Sequence, residues 1–254
     1  MSGSSLRDAV DVMALAARVK AGDPRAVSRL ISLIENHDVN GTAVLDRLEG
    51  PALHAEVIGV TGYPGAGKST LIDQLASAYR RQGKKVAVVA VDTTSPISGG
   101  AILGDRIRMQ EHTLDPGVFI RSMATRGTHG GVAGATRDAV RVLEAAGYQV
   151  IFVETVGVGQ NEVDIVGMAS TVVTVVAPGL GDDVQAMKAG LLEVAQIVVV
   201  NKADREGAES AAADLKEWVP RLVRTVAVKG EGIPELIEAI AEHQRIVDLQ
   251  GKRS

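Results

Sequence analysis

Three short stretches of this chain carry residue types and spacings that can do chemistry. The first is Gly62-Tyr63-Pro64-Gly65-Ala66-Gly67-Lys68-Ser69-Thr70, a Gly-x4-Gly-Lys-Ser pattern. Phosphates need that arrangement. Glycines let the backbone curl so that several N–H groups face an anion. A helix starting at the end of the loop adds its positive terminus. Lys68 can reach the β- and γ-phosphates, and the Ser69 hydroxyl can ligate Mg²⁺.

The second stretch begins at Glu154, which closes the apolar run Val150–Val153 and leads into Thr155-Val156-Gly157-Val158-Gly159-Gln160. An acid there orients Mg²⁺ through water or prepares the attacking water. Gly157 can bring a backbone N–H against the γ-phosphate, where hydrolysis is sensed. Asp92, after Val86–Val91, is another strand-end acid, either a Mg²⁺ holder or a turn former. Asp105 is a further candidate for the ion, or a plain surface partner of Arg106 and Arg108. The catalytic candidates are thus Lys68, Asp92, Asp105 and Glu154.

The third stretch is Asn201-Lys202-Ala203-Asp204, an N-K-x-D pattern. An Asp carboxylate accepts two donors from guanine N1 and N2, a pair that adenine does not present. Leaving that carboxylate unpaired disfavours ATP. Ala227, with Val228 beside it, can offer a backbone N–H to guanine O6. Together the motifs predict GTP or GDP with Mg²⁺ as the bound species.

Other polar segments are more open in meaning. Arg121 and Arg126 either meet an anion or a partner, or belong to a solvated loop. His129 has no second metal-ligand type at usable spacing, so no metal is assigned there. After Pro178-Gly179-Leu180-Gly181 come Asp182 and Asp183, with Lys188 between one and two helical turns further on. They form either a salt-bridge switch or an acid-capped helix start with a solvated lysine.

The positioning elements follow from pattern. From Ala55 onward, β-branched runs alternate with helical repeats. Strands are predicted at Val57–Thr61, Val86–Val91, Val118–Arg121, Val150–Glu154, Val172–Val176, Ile197–Asn201 and Leu222–Val226. Helices are predicted at Ser69–Arg81, Gly134–Ala146, Asp182–Val194, Ala208–Trp218 and Ile233–Val247. Continuous apolar strands imply burial on both faces. The fold class is therefore α/β, a mostly parallel sheet with helices on both sides and ligands at the carboxyl ends of the strands. Ahead of it, residues 1–52 read as a small helical extension, with Asp23 as an N-cap and Pro24 at the first helical position. Residues 53–240 read as the nucleotide domain, and 241–254 as a short C-terminal tail.

Composition narrows the classes. Net charge is −4, from 27 basic and 31 acidic residues, which argues against a bulk nucleic-acid binder. The absence of cysteine rules out disulfides and thiolate metal sites. No apolar run approaches the roughly 18 residues of a membrane span. The N-terminus lacks the apolar core of a signal peptide, so a cytoplasmic location is expected.

With these elements placed, the chain resembles the MeaB/ArgK/MMAA family of SIMIBI-class GTPases over roughly residues 10–245. The resemblance is carried by the phosphate loop, Gly99–Met109, Arg121–Gly127, Glu154–Gln160 and Asn201–Asp204. It implies GTP hydrolysis by a metallochaperone whose client is an adenosylcobalamin-dependent acyl-CoA mutase, typically methylmalonyl-CoA mutase. It also implies that Asp92–Met109 is a first switch, that the segment after Glu154 is a second, and that Pro178–Lys188, with Asp182 and Lys188, addresses the mutase. Family members usually carry Pro-Ser-Ser-Pro where this chain has Thr93-Thr94-Ser95-Pro96. They also continue into a dimerisation arm, whereas this chain stops at Ser254 after one helix, so a weakened homodimer is expected. A P-loop ATPase or kinase accessory of basic amino-acid transport is the alternative. A nickel-inserting GTPase is disfavoured by the lack of cysteine and of a His-rich tract.

Overall fold

The computed structural model describes residues 11–48, 55–92, 114–124, 131–155, 167–179 and 191–251. Seven strands among them form one sheet: β1 (Glu56–Gly62), β2 (Val86–Asp92), β3 (Val118–Ala124), β4 (Val150–Thr155), β5 (Thr171–Val176), β6 (Ile197–Asn201) and β7 (Leu222–Thr225). All are parallel, in the order β3-β2-β4-β1-β5-β6-β7. The chain runs outward from β1 to β2 on one side and from β4 across β1 to β5 on the other. β1 therefore ends at the point where the order reverses, the place where such sheets leave a crevice for ligand.

The helices are α1 (Val12–Lys20), α2 (Pro24–Glu35), α3 (Val39–Leu48), α4 (Lys68–Arg81), α5 (Gly131–Ala145), α6 (Leu191–Val194), α7 (Ala208–Lys216) and α8 (Ile233–Gly251). Every residue of β4, β5 and β6 is buried, as unbroken apolar runs require when both faces are covered. The two-residue strand period sorts the core. Val86 and Val88 of β2 join α4 and α8 on one face. Ala87, Val89 and Val91 join α5 and the N-terminal helices on the other. α4 is also tied to β1 by the Tyr79 hydroxyl, which donates to Glu56 Oε1 at 3.3 Å. Burial, and then the Glu56 charge, push the Tyr79 hydroxyl pKa well upward, so it stays a donor.

The N-terminal helices do not stand apart from the sheet. Val27, Leu30, Ile31 and Val44 share one hydrophobic cluster with Val89, Met123, Leu143 and Ile151. Asp23 caps α2 as its sequence position predicts, accepting from Arg25 N–H at 2.9 Å and Ala26 N–H at 3.4 Å, with Pro24 in the first turn. At the other end, α8 runs unbroken from Ile233 to Gly251, across the 240/241 boundary that the sequence suggests.

β3 extends to Ala124, three residues beyond its predicted end, so Arg121 lies in mid-strand and not in a loop. It pairs with Val89 and its side chain reaches α2. Nη2 donates to Ser32 Oγ at 3.0 Å and also to the Glu35 carboxylate. Arg121 thus lies in the strand that the sequence predicts to end there, and within this chain it meets α2 and not a solvated loop. Alternation along β3 sends Phe119, Arg121 and Met123 to the same face, under α2. Arg121→Met would leave Glu35 charged and enclosed at a site where its side chain keeps only 11% exposure. The expected loss is about 2–3 kcal/mol, somewhat under the cost of breaking a fully buried pair. Urea unfolding checks this, and Arg121→Met combined with Glu35→Gln should recover part of the loss. A single variant as stable as wild type would sink the idea.

Candidate functional site

The phosphate loop starts where β1 ends. Gly62 has φ +136° there, and a Cβ would sit 2.1 Å from the Val175 carbonyl oxygen of β5, so no side chain fits. Tyr63 to Ala66 form a tight turn, closed by Ala66 N–H on Tyr63 O at 3.2 Å. Pro64 occupies its second position and Gly65, at φ +79°, its third, the demands of a type II turn. Gly67 then caps α4 without any side-chain hydrogen bond, so the first-turn N–H groups meet no capping oxygen from it. Phosphate oxygens suit that end. Thr70 follows within the first turn of α4.

Lys68 is 6% exposed and folds back over the loop. Its Nζ donates to Gly62 O at 2.8 Å and to Tyr63 O at 3.1 Å. One residue on, Ser69 Oγ donates to Glu154 Oε1 at 2.8 Å. Sequence pattern expects these two residues at one site, and the structure brings them together across 85 positions. The register explains it, because Val60 of β1 pairs with Glu154 of β4. One position further, Thr155 Oγ1 donates to Thr61 Oγ1 at 3.0 Å, buried beneath the loop.

A hydroxyl and a carboxylate oxygen meeting at the loop are hard donors, and they fit Mg²⁺. That ion takes one or two protein oxygens and fills its shell with phosphate and water. Among the described residues no group of three or more His, Cys, Asp or Glu could hold a metal by itself. Asp92 is the last residue of β2, where its backbone pairs with Ala124. Asp105, Gly157, Asp182 and Lys188 lie outside the described residues.

The N-K-x-D stretch is tied to the phosphate loop. Asn201 is 3% exposed, and its Nδ2 donates to Ala66 O at 2.8 Å. A Cβ on residue 67 would lie 2.3 Å from that same Nδ2, a second reason for glycine at Gly67, where φ is +97°. Lys202, at φ +56°, donates from Nζ to Gly65 O at 2.7 Å. Both side chains therefore brace the loop. Asp204 differs, for its half-exposed carboxylate faces Lys229 Nζ at 3.5 Å.

Ala227 is buried beside Asn201, and its N–H donates to Asn201 Oδ1 at 3.1 Å. The same Oδ1 accepts from Thr225 Oγ1 at 3.0 Å. Val228, 77% exposed, is the member of the pair at the surface. Sequence reasoning assigns no role to Thr225 or Lys229. Thr225 is the register partner of Asn201, a signal that exists only once the strands are paired.

This geometry brings a phosphate loop, Glu154 and the Asn201–Asp204 stretch together at the carboxyl ends of β1, β4 and β6. Residues 24–254 match the family model for the methylmalonyl Co-A mutase-associated GTPase MeaB. The chain belongs to the MeaB family. It is a GTPase of the P-loop α/β fold. A Pyrococcus horikoshii protein named as a GTPase is 54% identical over 248 residues, covering 92% of this MeaB-family chain and 78% of its own length. The Mus musculus methylmalonic aciduria type A homolog, mitochondrial by name, is 39% identical, covering 77% of the MeaB-family chain and 50% of its own. The crystal structure of the LAO/AO transport system kinase superposes with a TM-score of 0.74 at 30% identity, over 97% of this chain and 79% of that one. Among the described residues of the MeaB-family chain, no helix is long and apolar enough to cross a membrane.

Proposed function

We propose that this GTPase is a metallochaperone that gates adenosylcobalamin delivery to a cobalamin-dependent acyl-CoA mutase, such as methylmalonyl-CoA mutase, and protects or reactivates it. The observation that carries the reading is the family match, whose description names a mutase-associated GTPase and which spans residues 24–254. The name of the mouse relative points the same way.

In this reading, the loop amides and Lys68 bind the phosphates and stabilise the charge that spreads over the γ-phosphoryl oxygens during attack by water. Lys68 must exchange its contacts with Gly62 O and Tyr63 O for phosphate oxygens. Ser69 and Glu154 would hold Mg²⁺, with Asp92 and Asp105 as further acids. That ion, when bound, neutralises charge on the β- and γ-phosphates. Glu154 also joins the loop to β4, so a change at Ser69 reaches that strand directly. Gly157 would sense the γ-phosphate, and Asp182 with Lys188 would pass the state to the client. Asp204 reads guanine N1 and N2. The protein acts in the cytoplasm, and a homodimer is a further part of the reading.

The test adds purified acyl-CoA mutases to the GTPase and follows phosphate release. A cognate mutase should raise the rate at least tenfold, within the range seen when a partner completes a GTPase site. No response from any cobalamin-dependent mutase would remove the chaperone reading while leaving the GTPase intact. The name of the solved transport-system kinase favours a second reading, an ATP-dependent transport accessory. It requires ATP to bind as tightly as GTP, which the same preparation can measure.

A further inference from the structure

Asn201 and Lys202 both donate to the phosphate loop, whereas the Asp204 carboxylate faces Lys229 instead. The backbone of Asp204 is fixed from both sides. Ala203 N–H donates to Thr225 O at 3.0 Å, and Arg205 N–H donates to Lys202 O at 3.0 Å. The backbone alone leaves the carboxylate free to swing about two side-chain torsions. Reading guanine needs both oxygens aligned with N1–H and N2–H, within roughly 10–20° of the productive geometry.

Lys229 restricts that swing. It ends the short 3₁₀ turn Ala227–Lys229, and Gly230 closes the turn at φ 72°. Lys229 N–H donates to Val226 O at 2.8 Å, and Val226 N–H donates to Glu231 O at 3.0 Å. The lysine thus stands on a braced corner, and its Nζ lies 3.5 Å from Asp204 Oδ2. Among the described residues it is the cation paired with Asp204. Val226, the buried apolar residue at the start of that corner, has no side-chain donor to offer in its place. A carboxylate oxygen has two lone-pair directions, so Oδ2 can keep Lys229 on one and take a base N–H on the other.

We propose that Lys229 is a positioning residue for base selection: it holds the Asp204 carboxylate in the orientation that accepts guanine N1–H and N2–H together. This rests on the guanine reading of Asp204. The pair is half-exposed, at 53% and 43%, so it contributes little to folding. Its effect falls on discrimination between guanine and hypoxanthine, which differ by the N2 amine. A misaligned carboxylate still takes one N–H from hypoxanthine but loses the second bond to guanine.

The test compares GDP, IDP and ADP affinities of the full chain, by competition against a fluorescent nucleotide at low salt. Lys229→Ala should weaken GDP by about three- to fivefold, the span of an exposed ion pair, and IDP by less than twofold. Its melting temperature without nucleotide should match wild type. Lys229→Arg should restore the GDP-to-IDP ratio, and Lys229→Ala should add nothing in an Asp204→Ala background. An unchanged GDP-to-IDP ratio in Lys229→Ala, with wild type still preferring GDP to ADP, overturns the proposal alone. Wild type binding ADP as tightly as GDP overturns the guanine reading beneath it.

Discussion

Lys68→Ala is expected to abolish GTP hydrolysis and leave the fold in place. The lysine is the first residue of α4, where alanine is at least as good a helix former. Its ammonium bonds two loop carbonyls, at 2.8 and 3.1 Å. The stability cost should be about 1–2 kcal/mol, as for loss of hydrogen bonds from a charged donor. The catalytic cost is much larger. A preorganised cation aimed at a transferring phosphoryl group is worth roughly 10²–10³ in rate. Single-turnover phosphate release beside a thermal melt separates the two effects. Undiminished hydrolysis in a folded Lys68→Ala protein would overturn the site assignment.

Asn201→Ala should do the opposite kind of damage, removing binding by loosening the structure. Three bonds converge on this side chain: Nδ2 to Ala66 O at 2.8 Å, and Thr225 Oγ1 and Ala227 N–H to Oδ1 at 3.0 and 3.1 Å. All three partners are buried. Each orphaned group costs about 1–3 kcal/mol, and allowing for relaxation we expect a loss of about 3–5 kcal/mol. For a chain of this size that lowers the melting temperature by on the order of 10 °C. GDP should also fail to raise the melting point of the variant, because the loop has lost its brace. Asp204→Ala is the control: its side chain is half-exposed, so it should melt near wild type while losing guanine affinity. An Asn201→Ala protein that melts within 2 °C of wild type and binds GDP normally would show that the three bonds carry no weight.

Much of this was legible in the sequence, and the division has a physical basis. Runs such as Ile197–Asn201 are β-branched without alternation, which signals a strand covered on both faces, and that strand's bounds come out as predicted. The start of α2 is equally local, since Asp23 and Pro24 act within one turn. Ser69 and Glu154 could be paired from sequence because each motif is fixed to a strand end. The partner of Arg121 could not be found. The sequence places it at the end of a strand running into a polar, glycine-rich stretch, and its contacts with Ser32 and Glu35 exist only once α2 packs on β3. The inward bond of the Ala227 amide was hidden for a related reason, because its acceptor, Asn201 Oδ1, is brought there by the pairing of β6 with β7. No local pattern encodes strand order or register.

The double use of Asn201 also limits how the protein can change over evolutionary time. Its carboxamide serves the base-reading loop and the phosphate loop at once, and Gly67 is shaped around it. A lineage drifting toward another nucleotide cannot begin at Asn201, since its first step would lose every nucleotide together. Asp204 carries no such debt to the loop. The route to a new base preference therefore runs through Asp204 and its lysine neighbour, and an engineer seeking an orthogonal variant should start there.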